Sequence, residues 1–188
     1  MNKLKKAISI AIACCMALSI VAMSASAVEA SSTTDQKQPE VLVEVIYNSY
    51  DEEYLKNIPF DDGTVVGDYD YEIRYIGSVT RDPTYIPYYF NAVSWITRDD
   101  GMISLSLDPN SKVRNDSSVK DTAWSVLSTP SNGVADNRNW PTNSKNVKTF
   151  RWQYDCHFDF AKDKDRWNIE PSRTAGSYLA VVANKCNP

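Results

Sequence analysis

The sequence predicts an α+β fold: a mainly antiparallel sheet with one or two helices, closed by one C-terminal disulfide. Three observations carry this. Stretches in which apolar and polar residues alternate recur along the chain, as half-buried strands require. One segment, residues 117–130, combines helical spacing with a capping residue in front and a proline behind. The strands and helices follow no βαβ rhythm, and no internal repeat is visible.

The chain opens with "MNKLKK", which supplies Lys3, Lys5 and Lys6, and continues with an uncharged apolar run from Ala7 to Met23. "SASA" follows, ending at Ala27. A basic start, an apolar middle and a small-x-small end describe a secretory signal peptide over residues 1–27. The run is short for a membrane anchor, which takes roughly 20 apolar residues, and no later segment is long or apolar enough to span. Cys14 and Cys15 fall inside the run. Cleavage before either, as in a lipoprotein, leaves too short an apolar core.

Without residues 1–27, 161 residues remain, with 17 Lys and Arg against 24 Asp and Glu, a net charge of −7. That length suits one domain with a real core. An acidic chain is a poor partner for nucleic acid or an anionic membrane. The charge is uneven: residues 40–74 hold ten acids and two bases, whereas residues 138–188 hold nine bases and five acids. The two regions either attract each other or present a basic patch to an anionic partner, and the scattered bases favour the first.

Residues 28–40 are small and polar, a disordered leader, so a single globular domain is expected over 41–188. "VLVEVIY" from Val41 is β-branched and strand-like. In "GDYDYEIRYIG", Tyr69, Tyr71, Ile73 and Tyr75 face one way, and Asp68, Asp70, Glu72 and Arg74 the other. Asp100-Gly101 lies between two apolar runs, so a hairpin is expected, with Ile103, Leu105 and Leu107 on one face of its second arm. Its first arm also fits a helix starting near Pro87. In the helix of 117–130, Val119, Ala123, Val126 and Leu127 share a face, Ser117 or Ser118 caps the start, and Pro130 stops it. Residues 131–146 are loop by composition.

In "TFRWQYDCHFDFA", Phe150, Trp152, Tyr154, Cys156, Phe158 and Phe160 alternate with Arg151, Gln153, Asp155, His157 and Asp159. Six alternations predict a strand, with Cys156 inward and His157 outward. A helix fits in part, since Phe150, Tyr154, Phe158 and Ala161 share a helical face. In either case the two neighbours diverge, so Cys156 and His157 do not form a nucleophile–base pair. Cys186 is the other cysteine outside the signal peptide. Export to an oxidising compartment makes a Cys156–Cys186 disulfide the expectation.

His157 is the single histidine, so no two-histidine zinc site can form, and no metal or cofactor is expected. No G-x-S-x-G elbow occurs. His157 is either a histidine making one hydrogen bond or a general base working with Asp155, Asp159 or Glu170. Glu170 precedes Pro171, which holds it extended, and Arg173 follows three residues on. The pair is either a structural contact that locks the turn or, for Glu170, an acid–base group beside His157. The structural role is the expected one for each. "DYDYE" and "DPNSKVRND" are acidic, but neither matches a calcium-binding loop.

The segment "YDCHFDFAKDKDRWNIEPSRT" with the closing "CNP", together with "WITRDDGMISLSLDP" and "AWSVL", resembles a family catalogued as a domain of unknown function in exported proteins of Gram-positive bacteria and actinobacteria. The likeness covers about residues 85–188. It rests on Cys156-His157, on Trp167-Asn168-Ile169-Glu170-Pro171 with Arg173, and on Cys186-Asn187-Pro188. The resemblance implies export and a paired cysteine, and carries no activity.

The expected function is a secreted binding or interaction protein, extracellular or associated with the cell wall. Among its 11 Tyr and 5 Trp, residues such as Tyr85, Tyr88 and Tyr89 suit a cell-wall glycan or an extracellular protein partner. The alternatives are a secreted hydrolase using His157 and Glu170, and a toxin-like effector, for which only size and export speak. Deleting residues 28–40 should lower the melting temperature by less than about 5 °C, roughly a 1 kcal/mol effect at this size. A larger drop would make the leader part of the fold.

Overall fold

A computed structural model describes residues 38–48, 52–77 and 82–188. The segments expected to be a signal peptide, residues 1–27, and a leader, as far as residue 37, lie outside the described residues.

Five strands form one sheet: β1 (Glu40–Asn48), β2 (Asp70–Tyr75), β3 (Phe90–Thr97), β4 (Ile103–Pro109) and β5 (Trp167–Ile169). Their order is β2-β1-β3-β4-β5. The β1–β2 pair is parallel and the other three pairs are antiparallel. The helices are α1 (Glu52–Lys56), α2 (Ser111–Asn115), α3 (Ser117–Leu127), α4 (Ser144–Phe160) and α5 (Tyr178–Ala183). The α+β class with a mainly antiparallel sheet is what forms. Among the described residues the helices number five rather than one or two, because α1, α2 and α5, of five or six residues each, are too short to leave a periodic trace in the sequence.

β3 and β4 make the hairpin read from Asp100-Gly101. Gly101 takes a φ of +79°, a conformation open to a residue without a Cβ. Its N–H closes the turn on Arg98 O at 2.9 Å. The first arm is strand, not helix: Pro87 begins no helix beyond a single 3₁₀ turn at Ile86–Tyr88. α3 is capped by Asp116, whose Oδ1 accepts from Ser118 N and Val119 N at 2.8 and 3.3 Å. The cap chemistry expected of Ser117 or Ser118 thus sits one residue earlier.

Residues 150–160 correct the strand expectation. They belong to the helix α4, and His157 is turned inward, 1% exposed. The buried arc of α4 contains Thr149, Gln153 and His157 beside Phe150, Tyr154 and Cys156. Because half of that arc is polar, period-two alternation mimicked a strand whose outer face was polar.

Side chains fill both faces of the sheet. On one face Trp95, Leu105, Leu107, Trp167 and Ile169 meet Phe150 and Tyr154 of α4 and Ala123 and Leu127 of α3. The Trp95 and Phe150 rings stack 6.3 Å apart, and Tyr154 meets Trp167 edge-on at 5.5 Å. On the other face Val41, Val43, Val45 and Ile96 pack against Leu55, Ile58, Phe60 and Val66. Charge attraction between the acidic and basic regions is slight: among the described residues Arg138–Glu44, at 4.0 Å, is the ion pair that joins 40–74 to 138–188.

Cys156 of α4 is bonded to Cys186, thirty positions later, and Val181 of α5 packs against the pair. Replacing both cysteines by alanine should lower stability by roughly 3.5–4 kcal/mol, the chain-entropy value for a loop this long. The urea midpoint reads the loss. An unchanged midpoint would mean that the tie constrains nothing.

Candidate functional site

The site begins where the sheet ends. β5 is an edge strand, and the backbone at Glu170, just past it, has no further strand to bond. Gln153 of α4 takes that place: its Nε2 donates to Glu170 O at 2.9 Å, and its Oε1 accepts from Glu170 N at 3.0 Å. Thr149 Oγ1 accepts from Ala175 N at 2.9 Å, and Asn146 Nδ2 donates to Pro171 O at 3.0 Å. Asn146, Thr149, Gln153 and His157 therefore form a polar seam along one side of α4.

His157 closes that seam. Its Nδ1 lies 2.9 Å from Gln153 O. A carbonyl oxygen only accepts, so Nδ1 carries the proton and Nε2 is a bare acceptor. Burial, assisted by Lys164, pushes the His157 pKa down to about 4, against the opposing pull of the Gln153 carbonyl and Asp61. The imidazole is neutral near pH 7.

Two adjoining clefts open on the face of the sheet opposite α3. The larger, of about 690 Å³, is lined by Tyr54, Asn57, Asp108, Arg114 and Lys162 among others. The smaller, of about 410 Å³, is lined by Asp61, His157, Lys164 and Asn168. Both share Pro59, Asp163, Asp165 and Arg166, so they form one trough between the 57–61 and 162–166 segments.

Internal bonds hold the walls. Arg114 Nη1 donates to the carbonyls of Lys162 and Lys164, and its Nη2 to Asp165 O at 3.0 Å and Asp108 Oδ1 at 3.2 Å. One guanidinium thereby fixes the whole 162–165 segment against β4. Arg166 Nε donates to Ser106 Oγ at 3.0 Å and Nη1 to the Tyr54 hydroxyl at 3.1 Å, which itself donates to Asp108 Oδ2 at 2.6 Å. Across the trough, Asn168 Nδ2 donates to Pro59 O at 3.1 Å. The Asn168 Oδ1 is buried and has no hydrogen-bond partner among the described residues.

Of the sequence candidates, His157 reaches the trough, while Glu170 and Arg173 line neither cleft. Glu170 is 2% exposed. Its Oε2 accepts from Arg173 Nε at 3.0 Å and its Oε1 from Ser104 Oγ at 3.4 Å. Arg173 Nη1 continues to Pro188 O at 2.9 Å. Burial pushes the Glu170 pKa up to about 7 and outweighs the opposing pull of Arg173. Proximity to the guanidinium alone would predict a low value; with the carboxylate this deeply enclosed and the guanidinium partly in water, desolvation wins. Sequence reasoning missed Tyr54, Asp61, Arg114 and Arg166, which no local pattern marks. Of the tyrosines proposed as a binding face, Tyr85 is exposed, Tyr88 half-buried and Tyr89 buried. Tyr85 lines a separate cleft of about 460 Å³ with Tyr75 and Ile76.

Residues 90–188 match the family model described as "Protein of unknown function (DUF2599)". The match takes in His157, Asn168 and the 162–166 wall, but not Tyr54 or the 57–61 wall. No curated protein and no solved structure matches the chain.

The two buried groups titrate in opposite senses. Glu170, raised from 4.5 to about 7, contributes stability that is lost as pH rises through that window. His157, lowered from 6.5 to about 4, contributes stability that is lost as pH falls from 6.5. Between 4.5 and 6.5 the two slopes oppose each other. Glu170→Gln removes the falling one. The stability of the variant minus that of the parent should then rise with pH from 4.5 to 7, by up to about 1.4 kcal/mol per unit. A difference independent of pH, measured by urea unfolding across the range, would overturn the burial assigned to Glu170.

Proposed function

The chain belongs to the DUF2599 family of proteins of unknown function, and from that premise and the trough geometry we propose an exported binding module that holds a polar cell-wall glycan between its 57–61 and 162–166 walls. One observation carries this reading. The donors and acceptors of the trough are fixed by bonds within the protein before any ligand arrives, as in the Arg114 fork and the Arg166–Tyr54–Asp108 chain. Preorganised polar groups bind a hydroxyl-rich ligand with little further ordering cost.

Export rests on the basic, apolar and small-residue pattern of residues 1–27. The Cys156–Cys186 bond is consistent with it. Among the described residues no helix is long and apolar enough to cross a membrane. A hydrolase using His157 and Glu170 is less well supported: Glu170 is held by Arg173 outside the trough, away from any bond that His157 could reach through the cleft. A protein partner is the other ligand class for the same trough.

Retention on purified wall glycan tests the reading. The full exported chain should co-sediment with the insoluble glycan and release no new reducing ends. Lys162 and Asp163 are exposed on the wall, so the double variant Lys162→Ala, Asp163→Ala should keep the parent melting temperature and lose at least about fivefold in retention, an effect near 1 kcal/mol. Full retention by this variant would move the ligand elsewhere, and soluble fragments released by the parent chain would favour the hydrolase.

A further inference from the structure

We propose that the floor of the smaller cleft is a seat for a primary ammonium group carried by the ligand, a refinement that rests on the trough reading. Three acceptors border this cleft and none has its hydrogen-bonding capacity filled. His157 Nε2 is a lone pair, because the ring proton is held at Nδ1 by Gln153 O at 2.9 Å. Asn168 Oδ1 is buried without a partner among the described residues, because the amide donates from Nδ2 to Pro59 O at 3.1 Å. Asp61 brings a carboxylate whose Oδ2 accepts one bond, from Asn187 Nδ2 at 3.2 Å.

Donors already present do not answer them. Arg166 commits Nε and Nη1 to Ser106 and Tyr54, and its buried Nη2 bonds none of the three acceptors; Lys164 stands exposed at the rim. A ligand group is therefore chosen by counting. A hydroxyl donates one hydrogen. An acetamide donates one and brings a carbonyl toward other acceptors. A primary ammonium donates three and carries the charge that complements Asp61. A metal ion is the other occupant that acceptors suit. Among the described residues no three His, Cys, Asp or Glu side chains are grouped to hold one, so the organic cation fits better.

The single histidine makes the test direct. The full exported chain, labelled with ¹⁵N-histidine, gives one imidazole spin system. It is titrated at pH 6.5 with a glucosamine oligomer and, separately, with the fully N-acetylated oligomer of the same length. The seat predicts that the amine oligomer shifts the His157 Nε2 resonance and binds at least tenfold tighter than the acetylated one. Asp61→Asn, a change at an exposed position, should reduce that preference below threefold.

A tenfold preference without a His157 shift, or one indifferent to Asp61→Asn, would reflect general attraction to an acidic protein and would overturn the seat. Equal binding of both oligomers without a His157 shift would overturn it and leave the trough reading intact. Binding of neither oligomer would also overturn the seat, and the trough reading would fall with it only if retention on wall glycan were lost as well.

Discussion

One side-chain amide sets the geometry on which the rest of the structure depends. Past the three residues of β5, Glu170 presents a buried N–H and C=O with no strand beside them. Left unpaired, such groups cost about 1–3 kcal/mol each. The Gln153 carboxamide offers one donor and one acceptor and bonds both, at 2.9 and 3.0 Å. For this to happen α4 must lie along the sheet edge with Gln153 inward. Residues four apart share a helix side, so Thr149 and His157 turn inward as well. Cys156, next to His157, is then placed to meet Cys186. The histidine reaches its cleft because a glutamine is needed as a substitute strand.

The trough arises from the other face of the same sheet. Ile103, Leu105 and Leu107 of β4 point toward the helices, while Ser104, Ser106 and Asp108 point away from them. Two serines leave room at the sheet surface for a guanidinium, and Arg166 lies there with 4% of its surface exposed. A buried cation is tolerated only where bonds compensate its lost hydration, and here Ser106 and Tyr54 accept from it. Tyr54 comes from α1, 112 positions earlier in the chain. The bonding that shelters Arg166 is thus also what draws the first wall of the trough toward the second.

The elements that sequence reasoning located correctly are those whose buried side is apolar. The β3–β4 hairpin announces itself by alternation around Asp100-Gly101, and α3 by Ala123, Val126 and Leu127 on one side. α4 was misread because Thr149, Gln153 and His157 are buried yet polar, so a rule equating buried with apolar placed them outside. Local signs of helix were present in Arg151 and Asp155, paired four residues apart at 2.8 Å, and in the Asn143 cap. The Cys156–Cys186 bond followed from counting cysteines. Within the site, His157, Glu170 and Arg173 were recognisable as residue types, but their separation into a trough residue and an edge clamp depends on packing. Tyr54, Asp61 and Arg114 belong to the site through contacts tens of residues long, and nothing local distinguishes them from other surface polar residues.

The position of β1 has a consequence for how the chain matures. It lies inside the sheet, yet its partners come late: Glu40 pairs with Asp70, and Leu42 with Thr97. A chain emerging from its N-terminus displays "VLVEVIY" well before β3 exists to cover it. Unpaired, β-prone, apolar stretches of this length are the segments that stack into aggregates. Glu40 flanks the stretch and Glu44 interrupts it, and eight further acids follow before Arg74. Among the described residues five of those ten acids form ion pairs, four of them with exposed carboxylates, so the charge stabilises the finished fold little. Its value lies earlier, as a gatekeeper that keeps newly made chains apart until the hairpin arrives.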